Sequence, residues 1–315
     1  MITKKDVEMA REKIKNIIKM TPVLSSSHLS TACNNNIFLK GEHLQKTGAF
    51  KVRGATNKIL QAINDGAKFV TAASSGNHGQ AVAYIASKFG IPSLIVVPED
   101  ATISKVKAIK AYGGMVETYG VMSSERSERA IETAKAKKGI YISPYDDPLV
   151  MAGQGTLGLE IMEQVENIDI IVVPIGGGGL TSGILTVVKE TNPNIKVIGV
   201  EPETSNSTYR SLQKGEITAI PPTNTIADGL KTTQPGKLTF PIIQKYLDEL
   251  VLVSEKEIRY AFTFVLERMK QVIEPSSAAT IAAAMFGKLG VERKNIVTVI
   301  TGGNIDVKQL SSLVI

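Results

Sequence analysis

The sequence has very little of several features that mark particular protein classes. Its 315 residues include a single cysteine, Cys33, so an intrachain disulfide is excluded, which fits a reducing compartment. No apolar run approaches the roughly 20 residues that a membrane-spanning helix requires. The chain starts with a charged amphipathic stretch rather than a secretory signal. We therefore expect a cytoplasmic protein with no membrane partner.

An excess of charge of one sign is also lacking. The 36 Lys and Arg residues against 30 Asp and Glu residues leave a formal net charge of +6, and the two signs are mixed along the chain. The densest basic patch, Lys135, Lys137 and Lys138, is typical of the solvated end of a helix. We therefore expect no nucleic-acid partner, and a small anionic ligand fits the modest positive balance better.

The length and the apolar pattern predict an α/β fold. A chain of this length is too long for one compact core of ordinary size, so we expect two lobes. Short β-branched runs, apolar at nearly every position, alternate with stretches of helical spacing, which predicts parallel-rich sheets flanked by helices. The predicted strands include 69–73, 93–97, 169–175, 196–200, 250–253 and 295–300. The predicted helices include 4–19, 77–88, 123–138, 148–166, 255–272 and 276–287.

Four consecutive glycines, Gly176, Gly177, Gly178 and Gly179, follow a predicted strand and precede a helix expected to begin near Thr181. Glycines leave backbone N–H groups free to wrap a phosphate, and a helix N-terminus adds further donors. The spacing matches neither the dinucleotide fingerprint nor the P-loop, which disfavours a dinucleotide-binding oxidoreductase. The alternative to a phosphate site is a flexible turn.

A second strand-to-helix junction carries Ser74, Ser75, Gly76, Asn77 and His78. In one interpretation a serine caps the helix and the other residues are surface polar groups. In the other, the hydroxyl and N–H groups bind a carboxylate, while Asn77 donates to an oxygen of a cofactor ring.

Three more segments contribute candidates. The segment 45–55 contains Lys46 and Lys51, and nothing within it distinguishes the two lysines. A predicted strand ends at Thr301, which two glycines follow, and this is either an ordinary turn or part of a site. The segment 221–236, rich in Pro, Thr and Gly, predicts a long ordered loop, and such loops often border sites.

Taken together, these segments resemble the threonine/serine dehydratase and serine racemase family of fold-type-II pyridoxal-phosphate enzymes. The resemblance spans nearly the whole chain, and the motifs occur in the family's order. The matching pieces are KTGAFKVRGA (46–55), SSGNHGQ (74–80), AGQGT (152–156), GGGGL (176–180), ADG (227–229), EPSSA (274–278) and TGGN (301–304).

The resemblance implies pyridoxal 5'-phosphate as cofactor and assigns residues to it. Lys51 matches the lysine that forms the Schiff base, and Phe50 would pack beside the cofactor ring. Asn77 matches the residue that bonds the phenolic oxygen of the ring, and Thr301 matches the small hydroxyl residue that faces the pyridine nitrogen. The four glycines, 176–179, match the phosphate loop.

The resemblance also implies substrate contacts and a domain layout. Residues 74–78 match the loop that holds the substrate carboxylate, with Ser74, Ser75, Gly76 and His78 as substrate-binding candidates. Ser75 matches the acid/base serine of the racemases, on the ring face opposite the lysine. The implied fold is the two-domain tryptophan-synthase-β-like fold. Its large cofactor-binding domain would comprise 1–62 and 147–315, and its small domain 63–146.

The activity that the resemblance implies is that of a threonine/serine ammonia-lyase. It would convert L-threonine to 2-oxobutanoate, and L-serine to pyruvate, with release of ammonia. A neutral Thr301 beside the pyridine nitrogen favours expulsion of a β-leaving group over transamination. The alternatives are serine racemisation, β-replacement and a non-catalytic cofactor-binding protein. The family also implies a homodimer or homotetramer.

Two departures from the family pattern bear on regulation. Some relatives bind a divalent cation near a Glu-Pro segment that has an acidic residue six positions after the Glu. Here Glu201-Pro202 is followed by Ser207, so we expect no metal, and Glu201 is only a weak candidate ligand. The chain ends 14 residues after Thr301, at Ile315, so we expect no C-terminal regulatory domain.

Overall fold

The structure, a computed structural model, describes residues 1–315 and contains two β-sheets flanked by helices. The strands are β1 (Val23–Ser25), β2 (Asn36–Gly41), β3 (Val70–Ala73), β4 (Ser93–Val97), β5 (Met115–Thr118), β6 (Ile140–Tyr141), β7 (Ile170–Pro174), β8 (Lys196–Pro202), β9 (Glu249–Val253) and β10 (Asn295–Ile300). The α-helices are α1 (Lys4–Ile14), α2 (Ser27–Cys33), α3 (Lys51–Asn64), α4 (Asn77–Lys88), α5 (Ile103–Ala111), α6 (Ser123–Ala136), α7 (Pro148–Gln164), α8 (Gly179–Thr191), α9 (Ser207–Lys214), α10 (Thr239–Tyr246), α11 (Glu255–Phe264), α12 (Pro275–Met285) and α13 (Leu310–Leu313).

Parallel pairing dominates both sheets. The larger sheet has the strand order β1-β2-β10-β7-β8-β9, and the smaller one β5-β4-β3-β6. Only β1 pairs antiparallel, with β2, at the edge of the larger sheet. The predicted α/β fold with parallel-rich sheets is confirmed. The smaller sheet uses strands only from residues 70–141, and the domain boundaries at 63–146 stay a prediction.

The central strand β7 explains why its segment is apolar throughout. Ile170 and Val172 pack into one hydrophobic cluster with residues of α11 and α12. Ile171 and Val173 point to the opposite face and pack with residues of α7 and α8. Alternate side chains therefore enter different cores. Each fully buried side chain of this kind contributes about 1.5–3 kcal/mol.

Four buried charges connect β2, α3 and α7. The Arg53 guanidinium contacts Glu42 (Nε to Oε2, 2.7 Å) and Glu160 (Nη1 to Oε1, 2.7 Å). Lys40 Nζ contacts the other oxygen of Glu160 at 2.5 Å. None of the four residues is more than 5% exposed. Arg53 lies two residues after Lys51, so this network anchors the beginning of α3.

Two predicted helices are shorter than the pattern suggested. The helix expected over 4–19 ends at Ile14. The helix expected over 255–272 ends at Phe264 and continues as a π-turn, after which Lys270 adopts a left-handed conformation with φ 56°. Helices α2, α5, α9, α10 and α13, of four to nine residues each, were not among the predicted helices. Short helices carry little periodicity, so tertiary packing decides where they begin and end.

Candidate active site

The glycine segment forms the junction between β7 and α8. The helix begins at Gly179, two residues before the predicted Thr181, and Gly178 has a left-handed φ of 90°. No protein hydrogen bond uses the backbone N–H groups of residues 176–181, and residues 177–181 are buried. Buried backbone donors are almost always satisfied, and a helix N-terminus favours negative charge. This junction therefore has the chemistry of a phosphate site.

Glycine is required here because other groups approach closely. A Cβ atom on Gly177 would lie 2.3 Å from the ring of Tyr145, and one on Gly179 would lie 2.9 Å from the Cα of Tyr145. Tyr145 belongs to the turn before α7. Asp146 of the same turn accepts the N–H of Lys237, just before α10, at 3.0 Å. The family resemblance had placed only a domain boundary here, between residues 146 and 147.

Lys51, the first residue of α3, reaches the same turn. Its Nζ donates to the carbonyl oxygen of Pro144 at 2.8 Å and lies 5.1 Å from the centre of the Phe50 ring. Burial lowers the pKa of this amine to about 8, although the Glu274 carboxylate opposes the shift. Because Pro144 precedes Tyr145, the turn brings the lysine amine and the glycine segment together. The Lys46 side chain makes no hydrogen bond or ion pair with the protein.

The beginning of α4 differs from the capping interpretation. The N-cap is Gly76, and no side chain caps the helix. Capping by either serine is therefore wrong. The Ser74 hydroxyl accepts the N–H of Gly76 at 3.2 Å, and the Ser75 hydroxyl makes no protein hydrogen bond. The N–H groups of residues 77–79 also lack protein partners. This helix start can bind a carboxylate.

His78 is held inside the protein. It is 2% exposed, and its Nε2 contacts the carbonyl oxygen of Ile142 at 2.8 Å. A carbonyl can only accept, so Nε2 carries the proton, and Nδ1 is buried without a partner. Burial and the nearby Lys51 lower the pKa of His78 to about 3, so the ring is neutral. The geometry ties α4 to the end of β6, and substrate binding by His78 stays a prediction.

Asn77 lies between two residues whose importance the sequence did not single out. Its Nδ2 is 2.9 Å and 3.1 Å from the two carboxylate oxygens of Glu274. Its Oδ1 accepts from Nδ2 of Asn304 at 2.8 Å. Burial raises the pKa of Glu274 to about 7. Glu274 and Asn304 belong to the family motifs EPSSA and TGGN, and this membership was the only sequence signal that they are part of the site.

The Thr301 side chain pairs with another neutral hydroxyl group. Its Oγ1 is 3.1 Å from the Ser277 hydroxyl, and its carbonyl oxygen accepts the N–H of Phe50 at 3.0 Å. Both hydroxyls are buried. Ser277 was not predicted. The pair offers a hydroxyl, and no carboxylate, to a ring nitrogen.

The pyridoxal-phosphate dependent enzyme family model matches residues 14–302. The chain belongs to this family. The L-threonine ammonia-lyase of Thermotoga maritima is 43% identical over 315 residues, covering 100% of this chain and 78% of the relative. The serine racemase of Dictyostelium discoideum is 44% identical over 317 residues, covering 99% and 98%. The structure of maize serine racemase superposes with a TM-score of 0.94 at 35% identity, covering 98% of this chain and 96% of the other.

The residues present fit pyridoxal phosphate, which is the cofactor of this family. The buried N–H groups of residues 176–181 fit its phosphate. The Lys51 amine, with its lowered pKa, fits its aldehyde. The resemblance inferred from the motifs, the fold type and the cofactor are therefore confirmed.

The loop predicted over 221–236 borders the site. It contains only one short 3-10 turn, Asp228–Leu230. The N–H of Gly236 donates to the carbonyl oxygen of Gly177 at 3.3 Å. The carbonyl oxygen of Gly229 leaves no room for a side chain on Gly176, since a Cβ atom there would lie 2.9 Å from it.

Glu201 is occupied by the protein itself. Its two carboxylate oxygens accept the N–H groups of Thr208 (2.9 Å) and Tyr209 (2.8 Å) at the start of α9. Burial raises its pKa to about 7. No group of three or more His, Cys, Asp or Glu residues could hold a metal ion. Glu201 thus satisfies a helix start, and its role as a metal ligand stays a prediction.

Proposed function

We propose that this protein is an ammonia-lyase that converts L-threonine to 2-oxobutanoate, and L-serine to pyruvate, with release of ammonia. The observation that carries the proposal is the position of the Lys51 amine. The amine lies against the turn that also contacts the glycine junction (residues 176–179) between β7 and α8, and its pKa is lowered to about 8. Relatives named threonine ammonia-lyase and threonine dehydratase, 41–43% identical to this chain, support the choice of reaction.

Residues from several segments around Lys51 would bind the cofactor. The N–H groups of 176–181 would bind its phosphate, Phe50 would pack beside its ring, and Asn77 would donate to its phenolic oxygen. Thr301 would face its pyridine nitrogen. When bound, pyridoxal phosphate supplies the electron sink for negative charge at the substrate α-carbon. Because the Thr301 hydroxyl is neutral, it does not enforce protonation of that nitrogen, which favours rapid loss of the β-substituent.

The substrate would be oriented by the beginning of α4. Its carboxylate would accept from the free N–H groups of residues 77–79 and from the hydroxyls of Ser74 and Ser75, with Gly76 and His78 completing the binding loop. Lys51 Nζ would remove the α-proton, since a pKa near 8 leaves much of the amine neutral around that pH. The β-hydroxyl leaves with a proton as water. The released enamine takes up one water and yields the 2-oxo acid and ammonia.

A panel of hydroxy-amino acids assayed for 2-oxo acid and ammonia tests this function. We expect the wild-type protein to release 2-oxo acid and ammonia from L-threonine and from L-serine. Lys51→Ala should lose both this activity and the visible absorbance of the holoenzyme. Lys46→Ala is the matched control, because Lys46 lies in the same segment and its side chain makes no hydrogen bond or ion pair. This variant should keep both the activity and the visible absorbance. Undiminished 2-oxo acid release by Lys51→Ala would refute the proposal.

Racemisation of serine is the second candidate. It requires an acid/base group on the substrate face opposite the lysine, and the Ser75 hydroxyl, which makes no protein hydrogen bond, is available for this role. A relative named serine racemase is 44% identical to this chain. Chiral analysis of the serine that remains after incubation with L-serine distinguishes racemisation from ammonia-lyase activity. D-serine formed at a rate above that of pyruvate, and lost in Ser75→Ala, would favour the racemase.

The assembly and the compartment complete the proposal. No helix of the structure is both long and apolar enough to cross a membrane. Cys33 is buried and free. We propose a cytoplasmic homodimer or homotetramer, which light scattering of the purified protein would test.

A further inference from the structure

A chain of hydrogen bonds crosses the site with a fixed direction. It starts at the backbone carbonyl oxygen of Thr47, which accepts from Nδ2 of Asn304 at 2.7 Å. The same Nδ2 donates to Oδ1 of Asn77 at 2.8 Å. At the far end, Nδ2 of Asn77 donates to the Glu274 carboxylate at 2.9 Å.

The direction of this chain does not depend on how the amide groups are assigned. A backbone carbonyl can only accept, so the Asn304 atom beside Thr47 must be the nitrogen. That nitrogen must then face the oxygen of Asn77. The nitrogen of Asn77 is consequently turned towards Glu274.

We propose that Asn304 and Glu274 are positioning residues, which lock the Asn77 amide with Nδ2 presented to the phenolic oxygen of the cofactor ring. This inference rests on the role proposed for Asn77. The two carboxylate oxygens of Glu274 lie side by side and can share one N–H of Asn77. The second N–H points elsewhere and stays available for an acceptor. A reversed amide would present an oxygen to a phenolate, which is repulsive.

The turn that supplies the Thr47 carbonyl is itself held in an uncommon shape. Thr47 has a left-handed φ of 61° and Gly48 one of 69°. A Cβ atom on Gly48 would lie 2.6 Å from Oδ1 of Asn304, so glycine is required for this approach. The N–H of Gly303 donates to the carbonyl oxygen of Gly48 at 2.9 Å. Strain of this kind persists where the surroundings fix it, and here it aims the carbonyl at Asn304.

Glu274 has no side-chain partner other than Asn77. It is 7% exposed, and its carboxylate packs closely against Gly302, where a Cβ atom would lie 2.9 Å from Oε2. Burying a carboxylate that has a single hydrogen-bond donor lowers the stability of the folded protein. Its placement is explained if it holds Asn77 for the cofactor.

The dissociation constant of pyridoxal phosphate, measured on the full-length protein by titrating visible absorbance, tests this inference. We expect Asn304→Asp, which replaces a donor by an acceptor beside Thr47, to weaken binding by about tenfold. Asn304→Ala and Glu274→Gln should weaken it by roughly threefold and shift the absorbance maximum. Asn304 is exposed, so the two Asn304 substitutions should leave the melting temperature nearly unchanged. The matched control is Asn36→Asp, because Asn36 donates to Asn295 in another amide pair, at 2.9 Å, outside the site. It should leave binding unchanged.

A double-mutant cycle separates positioning from a merely structural role. In an Asn77→Ala background, Asn304→Asp should change cofactor binding by less than about twofold, because the amide it orients is gone. The same tenfold loss in that background would overturn the inference. Unchanged binding by Asn77→Ala alone would overturn both the inference and the role of Asn77. The ammonia-lyase proposal fails separately, if wild-type holoenzyme releases no 2-oxo acid.

Discussion

The amine of Lys51 donates to the carbonyl oxygen of Pro144, 93 residues along the chain, at 2.8 Å. This bond joins the first residue of α3 to the turn that carries Tyr145. Tyr145 packs against the glycine junction, so two motifs distant in sequence meet through a segment between them. This turn therefore determines the position of the Lys51 amine relative to the glycine junction.

The lowered pKa of Lys51 predicts how cofactor uptake depends on pH. Only the neutral amine attacks an aldehyde, and its pKa is about 8. Between about pH 6.5 and 8, the rate at which the cofactor-free protein regains visible absorbance should rise roughly tenfold per pH unit and then level off. Stopped-flow absorbance measures this rate. A rate still climbing steeply at about pH 10 would indicate an ordinary, solvated lysine.

The close approach of Tyr145 predicts a pair of substitutions with opposite effects. Gly177→Ala places a Cβ atom 2.3 Å from the Tyr145 ring, so the turn or the junction must shift. Overpacking of this kind costs about 1–3 kcal/mol, which predicts a loss in cofactor affinity of roughly 10- to 100-fold.

Adding Tyr145→Ala to Gly177→Ala should recover most of that affinity, because the clash is removed. Tyr145→Ala alone is the control for loss of the ring. Equal affinities of the single and double variants would mean that the clash is not the cause.

The sequence predicted the parts of the fold and site that depend on local chemistry. The apolar run at β7 and the four glycines after it predicted, without tertiary information, a strand and a strand-to-helix junction, which the structure contains. The phosphate site predicted at that junction stays a prediction. Lys51 could not be separated from Lys46 by the residues alone and needed the family resemblance. What distinguishes them physically is the contact with Pro144, which no local pattern encodes.

The contacts missed from the sequence are those made between distant segments. The ring of Tyr145 against Gly177 and the amide of Asn304 against Asn77 depend on how the two sheets are juxtaposed. The serine cap, which was one of two interpretations of the beginning of α4, was wrong for a related reason. A helix start with free N–H groups is unfavourable by itself, and it persists where a ligand can satisfy those groups.

The raised pKa of Glu274 predicts a pH-dependent contribution to the stability of the cofactor-free protein. Burial holds the proton more tightly in the folded chain, with a pKa of about 7 against 4.5 for the free side chain. Nearby Asp228 reinforces the shift, and Lys51 and Lys105 oppose it. The contribution of Glu274 is therefore complete below about pH 4.5 and is lost as the pH rises to about 7.

Glu274→Gln removes this titration while keeping an acceptor for Asn77. The difference in unfolding free energy between Glu274→Gln and wild type should increase by roughly 3 kcal/mol between about pH 4.5 and 7, in favour of the variant. Urea unfolding at several pH values measures it. A difference that does not change with pH would show that Glu274 titrates normally.

The buried network around Arg53 predicts a large loss of stability from one substitution. Arg53→Met leaves the Glu42 and Glu160 carboxylates buried beside a single remaining cation, Lys40, so unfolding should become easier by about 3–5 kcal/mol. Arg11→Met is the matched control, because Arg11 pairs with Glu163 at the surface, where ion pairs contribute less than about 1 kcal/mol. Urea unfolding midpoints of the two variants give the comparison. If Arg53→Met cost no more than Arg11→Met, water would have to reach the network, and Arg53 could not be what fixes the beginning of α3.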